Sequence, residues 1–232
     1  MPRIELDDVS VTVDGTDGPV TILEPTDLTL TEDRIGVIGA NGSGKSTLAR
    51  LLNGLVRPTT GRVRVDGLDT VSDGGKVRRR VGFVFTDPEA QLVMPTVAED
   101  VALSLRRTDL SAEQRRTTTL SVLERYGLRH LADVSVHSLS GGQKQLLALA
   151  GVLATDPAVL VADEPTTLLD LQNTNRIVDL LFSLPQQLVL VTHDLDLAPC
   201  CERVLVVDNA AVACDGEPGE AVAHYRRLVA RS

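Results

Sequence analysis

Gly39-Ala40-Asn41-Gly42-Ser43-Gly44-Lys45-Ser46-Thr47 restricts what this chain can fold into more than any other segment. Glycines at its first, fourth and sixth positions let the backbone curl until successive amide N–H groups face inward, as a cradle for polyphosphate requires. Lys45 is placed to reach the terminal phosphates, and the Ser46 hydroxyl to coordinate Mg²⁺. Gly36-Val37-Ile38 reads as the end of a buried strand, and Thr47-Leu48-Ala49-Arg50-Leu51-Leu52 has helical spacing. The loop therefore opens onto a helix N-terminus, where the positive end of the helix dipole favours an anion.

The remaining pattern builds a sheet around that unit. Ile4, Leu6, Val9, Val11 and Val13 alternate, and Val20, Ile22, Leu23, Leu28 and Leu30 follow, which predicts antiparallel strands leading into the loop. Short strands are expected at Gly61–Val65 and Val81–Phe85. From Thr96 to about Leu153 the apolar spacing is helical, as in Val97, Val101, Leu120, Leu123, Leu146, Leu149 and Leu153. Three continuous apolar runs come next, at Val159–Ala162, Leu188–Val191 and Val204–Val207, as expected of parallel strands covered on both faces. Helical stretches are expected at Leu171–Leu181 and Asp194–Cys200, and an amphipathic helix at Glu217–Arg231. The alternation predicts a mostly parallel α/β core. We read residues 1–232 as one domain with a helical subdomain at approximately 87–153.

Composition excludes several alternatives. With 232 residues of which 43% are hydrophobic, the chain can bury an ordinary core. The longest uncharged apolar run, Leu146–Ala154, is far short of the ~20 residues of a membrane helix, and Met1-Pro-Arg-Ile-Glu5 does not resemble a signal peptide. These features predict a soluble, cytoplasmic chain. Cys200, Cys201 and Cys214 match neither a zinc spacing nor a disulfide framework and are expected to be small core residues. A net charge of −9 argues against nucleic-acid binding, despite the basic run Lys76-Val-Arg-Arg-Arg80.

A second set of residues carries chemistry. Val159-Leu-Val-Ala-Asp163-Glu164 puts two acids where a buried strand ends, the edge at which open α/β sheets bind ligands. Asp163 is suited to hold the Mg²⁺ that Ser46 also sees, and Glu164 to orient and deprotonate an attacking water. Leu188-Val-Leu-Val-Thr-His193 ends a strand in the same way, which brings His193 to the same edge as a γ-phosphate contact. His130, His137 and His224 read as surface or packing residues. Ser140-Gly141-Gly142-Gln143 is a second glycine loop opening a helix, with Ser140 as cap. Because it has no lysine to match Lys45, the rest of its pocket is expected to come from another subunit.

In these motifs and their order the chain resembles an ATP-binding cassette (ABC) ATPase along nearly its whole length. The matching parts are the phosphate loop Gly39–Thr47, a glutamine-loop region at Phe85–Pro88 and a signature motif at Leu139–Gln143. They continue with Asp163 and Glu164, the loop Thr166–Asp170 and the switch histidine His193. The resemblance implies a P-loop NTPase ABC core with an N-terminal antiparallel β subdomain and a helical subdomain. It further implies ATP and Mg²⁺ as cofactors, and a head-to-tail ATPase pair of two copies or of this chain with a related one. Each ATP would lie between one chain's Lys45 loop and the other's Ser140 loop. An integral membrane subunit is the implied partner, with the chain peripheral at the cytoplasmic face of the membrane. The tract with Pro88, Gln91, Pro95, Thr96, Glu99 and Asp100 is similar to the ATPases of energy-coupling factor importers. Thr86 and Asp163–Asp170 look most like the biotin-transport ATPases, then the cobalt-transport ones.

The chain departs from the family pattern twice. No aromatic residue stands near Val11 or Val13 to stack on adenine, which predicts weak discrimination between ATP and GTP in competition binding. Thr86 replaces the loop glutamine, and its shorter hydroxyl would reach a metal only through water; our hypothesis is that Gln91 or Asp87 assists the coupling, which an inert Thr86→Gln variant would count against. The competing readings are the ATPase of another ABC importer or exporter, a soluble cassette acting on nucleic acid, and a regulator without turnover.

Overall fold

The computed structural model describes residues 1–16 and 18–230. In chain order its elements are β1 (Ile4–Gly15), β2 (Gly18–Leu30), β3 (Arg34–Ile38), α1 (Lys45–Asn53), β4 (Thr60–Val65), β5 (Leu68–Asp69), α2 (Gly74–Arg80) and β6 (Val81–Val84). They continue with α3 (Val97–Ser104), α4 (Ala112–Arg125), α5 (Gly141–Leu153), β7 (Val159–Asp163), α6 (Leu171–Ser183), β8 (Gln187–Val191), β9 (Arg203–Asp208), β10 (Ala211–Gly216) and α7 (Pro218–Val229). The chain divides into two compact units. The first comprises Met1–Val81, Ala158–Glu164 and the residues from Leu184 onward, and the second comprises Gly82–Pro157 and Pro165–Ser183.

The first unit holds two sheets. One is antiparallel, in the order β2-β1-β4-β5. Ile4 stands opposite both Leu30 and Val65, and Leu6 opposite both Leu28 and Val63, so one face of this sheet is apolar and buried. The register slips between Leu6 and Val9, where Asp8 takes a φ of 47°. The other sheet runs β10-β9-β3-β8-β7 within this unit. β3 pairs in parallel with β8 and β9, and β7 with β8. These strands are covered on both faces, which is why Val159–Ala162, Leu188–Val191 and Val204–Val207 are uninterrupted apolar runs. Helix α1 packs over β7 and β8, and its Leu48, Leu51 and Leu52 are all buried.

The second unit is helical. Thr96, Ser111 and Ser140 cap α3, α4 and α5, each in a reciprocal box with the Glu or Gln three residues on. Such a cap contributes about 1 kcal/mol by satisfying amide donors that the helix leaves open. Its core is built from Val97, Val101 and Leu105, Leu123, and Leu146, Leu147 and Leu149, all buried. The buried Asp100 accepts the N–H groups of Val93 and Met94 and so fixes the segment that leads into α3.

Several expectations need correction. Asp194–Cys200 is not a helix: the Asp194 side chain accepts from the Asp196 N–H, an Asx turn that competes with helical bonding, and only Ala198–Cys200 forms a 3₁₀ turn. Helix α7 ends at Val229, and Arg231, placed in that helix from sequence, lies outside the described residues. Of the cysteines only Cys201 is buried, and burial pushes its thiol up to about 12, whereas Cys200 is exposed. The elements α2, β5 and β10 were not anticipated. Among the described residues no helix is long and apolar enough to cross a membrane.

Candidate active site

Strand register fixes the site. Asp163 lies level with Val191 on β8, and Val191 with Val37 on β3, so three parallel strands end at one edge. The residues just beyond that level are the phosphate loop after β3, Glu164 after β7 and His193 after β8. The Thr192 N–H donates to the Val37 carbonyl at 3.0 Å and the Glu164 N–H to the Val191 carbonyl at 3.0 Å, which extends the ladder into the site.

Glycine is required in the loop by conformation and by space. Gly39, Gly42 and Gly44 have φ of 151°, 77° and 109°, the region that side chains rarely enter. A Cβ on Gly39 would overlap the Val207 carbonyl, and one on Gly44 would stand 2.6 Å from the Ile22 carbonyl. Lys45 is 5% exposed, and its Nζ donates to the carbonyls of Gly39 and Ala40 at 2.9 and 2.8 Å. Desolvation lowers its pKa against the opposing pull of Glu164 and Asp163. Ala40, Asn41 and Gly42 at the crest are exposed, while Ser43 and Gly44 are buried and Thr47 is half-buried in the first turn of α1. The β9–β10 turn braces the loop: the Ala210 N–H donates to the Ser43 carbonyl at 3.1 Å, and the Ala210 carbonyl accepts from the Glu24 N–H at 2.7 Å.

The acidic side of the site faces α1. The Ser46 hydroxyl donates to Asp163 Oδ1 at 2.9 Å, and Arg50, one turn further along α1, places Nη2 3.6 Å from Asp163 Oδ2. Asp163 is fully buried, and desolvation raises its pKa, with the Ser46 hydrogen bond and Arg50 acting in the opposite direction. Two hard oxygens are thus held within reach of one cation, the donor set that suits Mg²⁺. Glu164 adopts a φ of 52°, a left-handed conformation rare for a side chain of its size. His193 Nδ1–H donates to Glu164 Oε2 in a short contact, and the two side chains are 57% and 12% exposed respectively. The carboxylate is therefore held in one orientation by an imidazole that is open to solvent.

The second unit carries the other loop. Ser140 and Gly141 are exposed, and Gly142 is buried. The Ser140 Oγ accepts from the Gln143 N–H at 3.3 Å, and the Gln143 side chain returns by accepting the Ser140 N–H at 2.9 Å. Neither glycine has a positive φ; a Cβ on Gly142 would overlap the side-chain amide of Asn173 on α6. Asn173 is itself held by Asp170, which accepts its backbone and side-chain N–H groups at 2.8 and 2.9 Å.

Sequence reasoning brought Lys45, Ser46, Asp163, Glu164 and His193 to one sheet edge, where the first unit has them. It missed Arg50, whose four-residue spacing from Ser46 was the available signal, and Ala210, for which no sequence signal existed. Among the described residues no cluster of His, Cys, Asp and Glu forms a separate metal site.

Comparison with known proteins agrees with this geometry. The family model described as ABC transporter matches residues 23–167. A putative ABC transporter ATP-binding protein of Deinococcus radiodurans is 52% identical over 205 residues, covering 88% of this chain and 91% of that one. The biotin transport ATP-binding protein BioM of Rhizobium etli is 46% identical over 213 residues, 92% and 95% of the two chains. Among solved structures, the dimeric post-hydrolysis state of the ATP-binding cassette MJ0796 with ADP and Pi superposes with a TM-score of 0.83 at 31% identity, covering 93% of this chain and 98% of that one. With a phosphate loop, a buried acid and a glutamate–histidine pair on one sheet edge, and relatives matched over most of their length, the chain belongs to the ABC transporter family as one of its ATP-hydrolysing subunits.

Proposed function

We propose that the chain powers an energy-coupling factor importer at the cytoplasmic face of the membrane, with biotin as the favoured cargo and a transition-metal ion as the alternative. The tract from Pro88 to Asp100 and the likeness to BioM support this reading. In it, Lys45 and the loop amides would hold the ATP phosphates, and Ser46 and Asp163 would hold Mg²⁺, which when bound would supply charge neutralisation. Glu164 takes the proton of the attacking water, and His193 holds that carboxylate in line and faces the γ-phosphate. Ser140, Gly141, Gly142 and Gln143 close the pocket of a second ATPase protomer, and an integral membrane subunit carries the solute.

The observation that carries the catalytic part is the His193–Glu164 hydrogen bond directly beyond the Ser46–Asp163 contact. The transport part is tested by purifying the chain from its native membrane and identifying what accompanies it. Integral membrane subunits with bound vitamin or metal are expected; a complex that exports its solute, or one built on RNA or DNA, overturns the import reading.

A further inference from the structure

Arg50 belongs to α1 but serves the acid at the end of β7. Ser46 and Arg50 are four residues apart, so they lie on one face of the helix, and each meets a different oxygen of Asp163. Asp163 is 0% exposed, and a carboxylate that deep is costly unless an opposite charge stands beside it. The guanidinium contact is single and, at 3.6 Å, loose. Its side chain is 42% exposed, and among the described residues its buried Nε has no hydrogen-bond partner. Such a contact compensates charge without the two-pronged geometry that would lock it in place.

We propose that Arg50 is a positioning residue that stands in for the metal: it holds the Asp163 carboxylate in the metal-free protein and competes with the divalent cation for it. This rests on the reading of Ser46 and Asp163 as the metal pair. The arginine keeps the acid side of the site assembled when no nucleotide is present and weakens Mg²⁺ binding, so that metal enters together with the polyphosphate. Removing a positive charge at this range raises cation affinity, and solvent screening of a half-exposed group keeps the gain to roughly three- to tenfold.

The test uses the purified chain in two measurements. In EDTA, Arg50→Gln is expected to melt several degrees below wild type and Arg50→Lys close to it, while Arg50→Gln added to Asp163→Asn costs nothing further. In titration calorimetry, with protein saturated by a non-hydrolysable ATP analogue, Mg²⁺ is expected to bind Arg50→Gln three- to tenfold more tightly than wild type. Equal melting of Arg50→Gln and wild type, or an equal loss in the Asp163→Asn background, overturns the charge-compensating role. Unchanged or weaker Mg²⁺ binding by Arg50→Gln overturns the competition, and if that variant does not fold, binding by Arg50→Met, which keeps the aliphatic stem without the charge, replaces it as the criterion. Mg²⁺ binding that survives intact in Asp163→Asn would instead overturn the underlying metal-pair reading, leaving the melting result to stand alone.

Discussion

The two glycine loops of this molecule use the same residue for different reasons. In the loop before α1 the glycines supply backbone angles: three positive φ values in six residues curl the chain, and Lys45 folds back onto the loop's own carbonyls. In the loop before α5 they supply closeness: Gly142 has ordinary helical angles and only makes room for Asn173. The first loop shapes itself, and the second presents an exposed serine with a helix dipole behind it. A glycine-rich loop at a helix start therefore says little about function until its φ values and its neighbours are known.

The contrast can be broken by experiment. The largest effect is expected at the chemistry of the first loop's edge: Glu164→Gln lowers ATP turnover about 10²–10⁴-fold while nucleotide still binds, read by phosphate release against equilibrium binding. Retention of more than a tenth of wild-type turnover would remove Glu164 as the base. Next, Ser140→Arg is expected to cost about 10²–10³ in turnover with the monomer's nucleotide affinity unchanged, as befits a donor acting on another copy's ligand. Weaker binding by the dilute monomer would show that the second loop serves its own chain instead.

Smaller effects separate angle from closeness. Gly39→Ala and Gly142→Ala should each destabilise by about 1–3 kcal/mol in denaturant unfolding. Asn173→Ala is expected to rescue only the second, since no neighbour's removal restores a φ of 151° at Gly39. The smallest effect is in pH. Burial raises the Asp163 pKa above 3.8, so the folded metal-free chain keeps a proton that the unfolded chain releases, and stability falls as pH rises through that interval. Asp170, beside the second loop, is lowered by the Asn173 backbone N–H, so its contribution is lost as pH falls below 3.8. Asp163→Asn and Asp170→Asn should therefore change the slope of stability against pH in opposite senses; slopes of one sign would contradict the two environments.

The placement of the candidate site's residues was legible in the sequence because they sit directly after apolar runs. Val37-Ile38, Val159–Ala162 and Leu188–Val191 each announce a buried strand, and parallel strands bring their C-terminal ends together whatever the intervening length. What stayed hidden was short or lacked its usual marker. Helix α2 has seven residues, opens with Gly74-Gly75 and ends on three arginines, so no apolar period is visible. The β9–β10 hairpin turns at Asn209-Ala210, both with positive φ, where a glycine would have flagged it. Tertiary contacts of that turn hold alanine in a conformation its own preferences disfavour, and those contacts are absent from any local pattern. Asp194–Cys200 went wrong in the opposite direction, since its leucines suggested a helix while the Asp194 side chain captured the backbone first.

The position of β3 has a consequence for biosynthesis. Both of its hydrogen-bonding neighbours, β8 and β9, come from beyond residue 186, as does the Asn209-Ala210 turn that grips the Ser43 carbonyl. On the ribosome the motif at residues 39–47 emerges early and then waits, its strand unpaired until β8 follows and its Ser43 carbonyl unbraced until residue 210 has cleared the exit tunnel. The moment at which a newborn chain can first hold a nucleotide is thus set by strands translated long after the motif, and a truncation that spares Lys45, Ser46, Asp163, Glu164 and His193 but removes β9 and the Ala210 turn would leave a complete motif without one of its strand neighbours and without its brace.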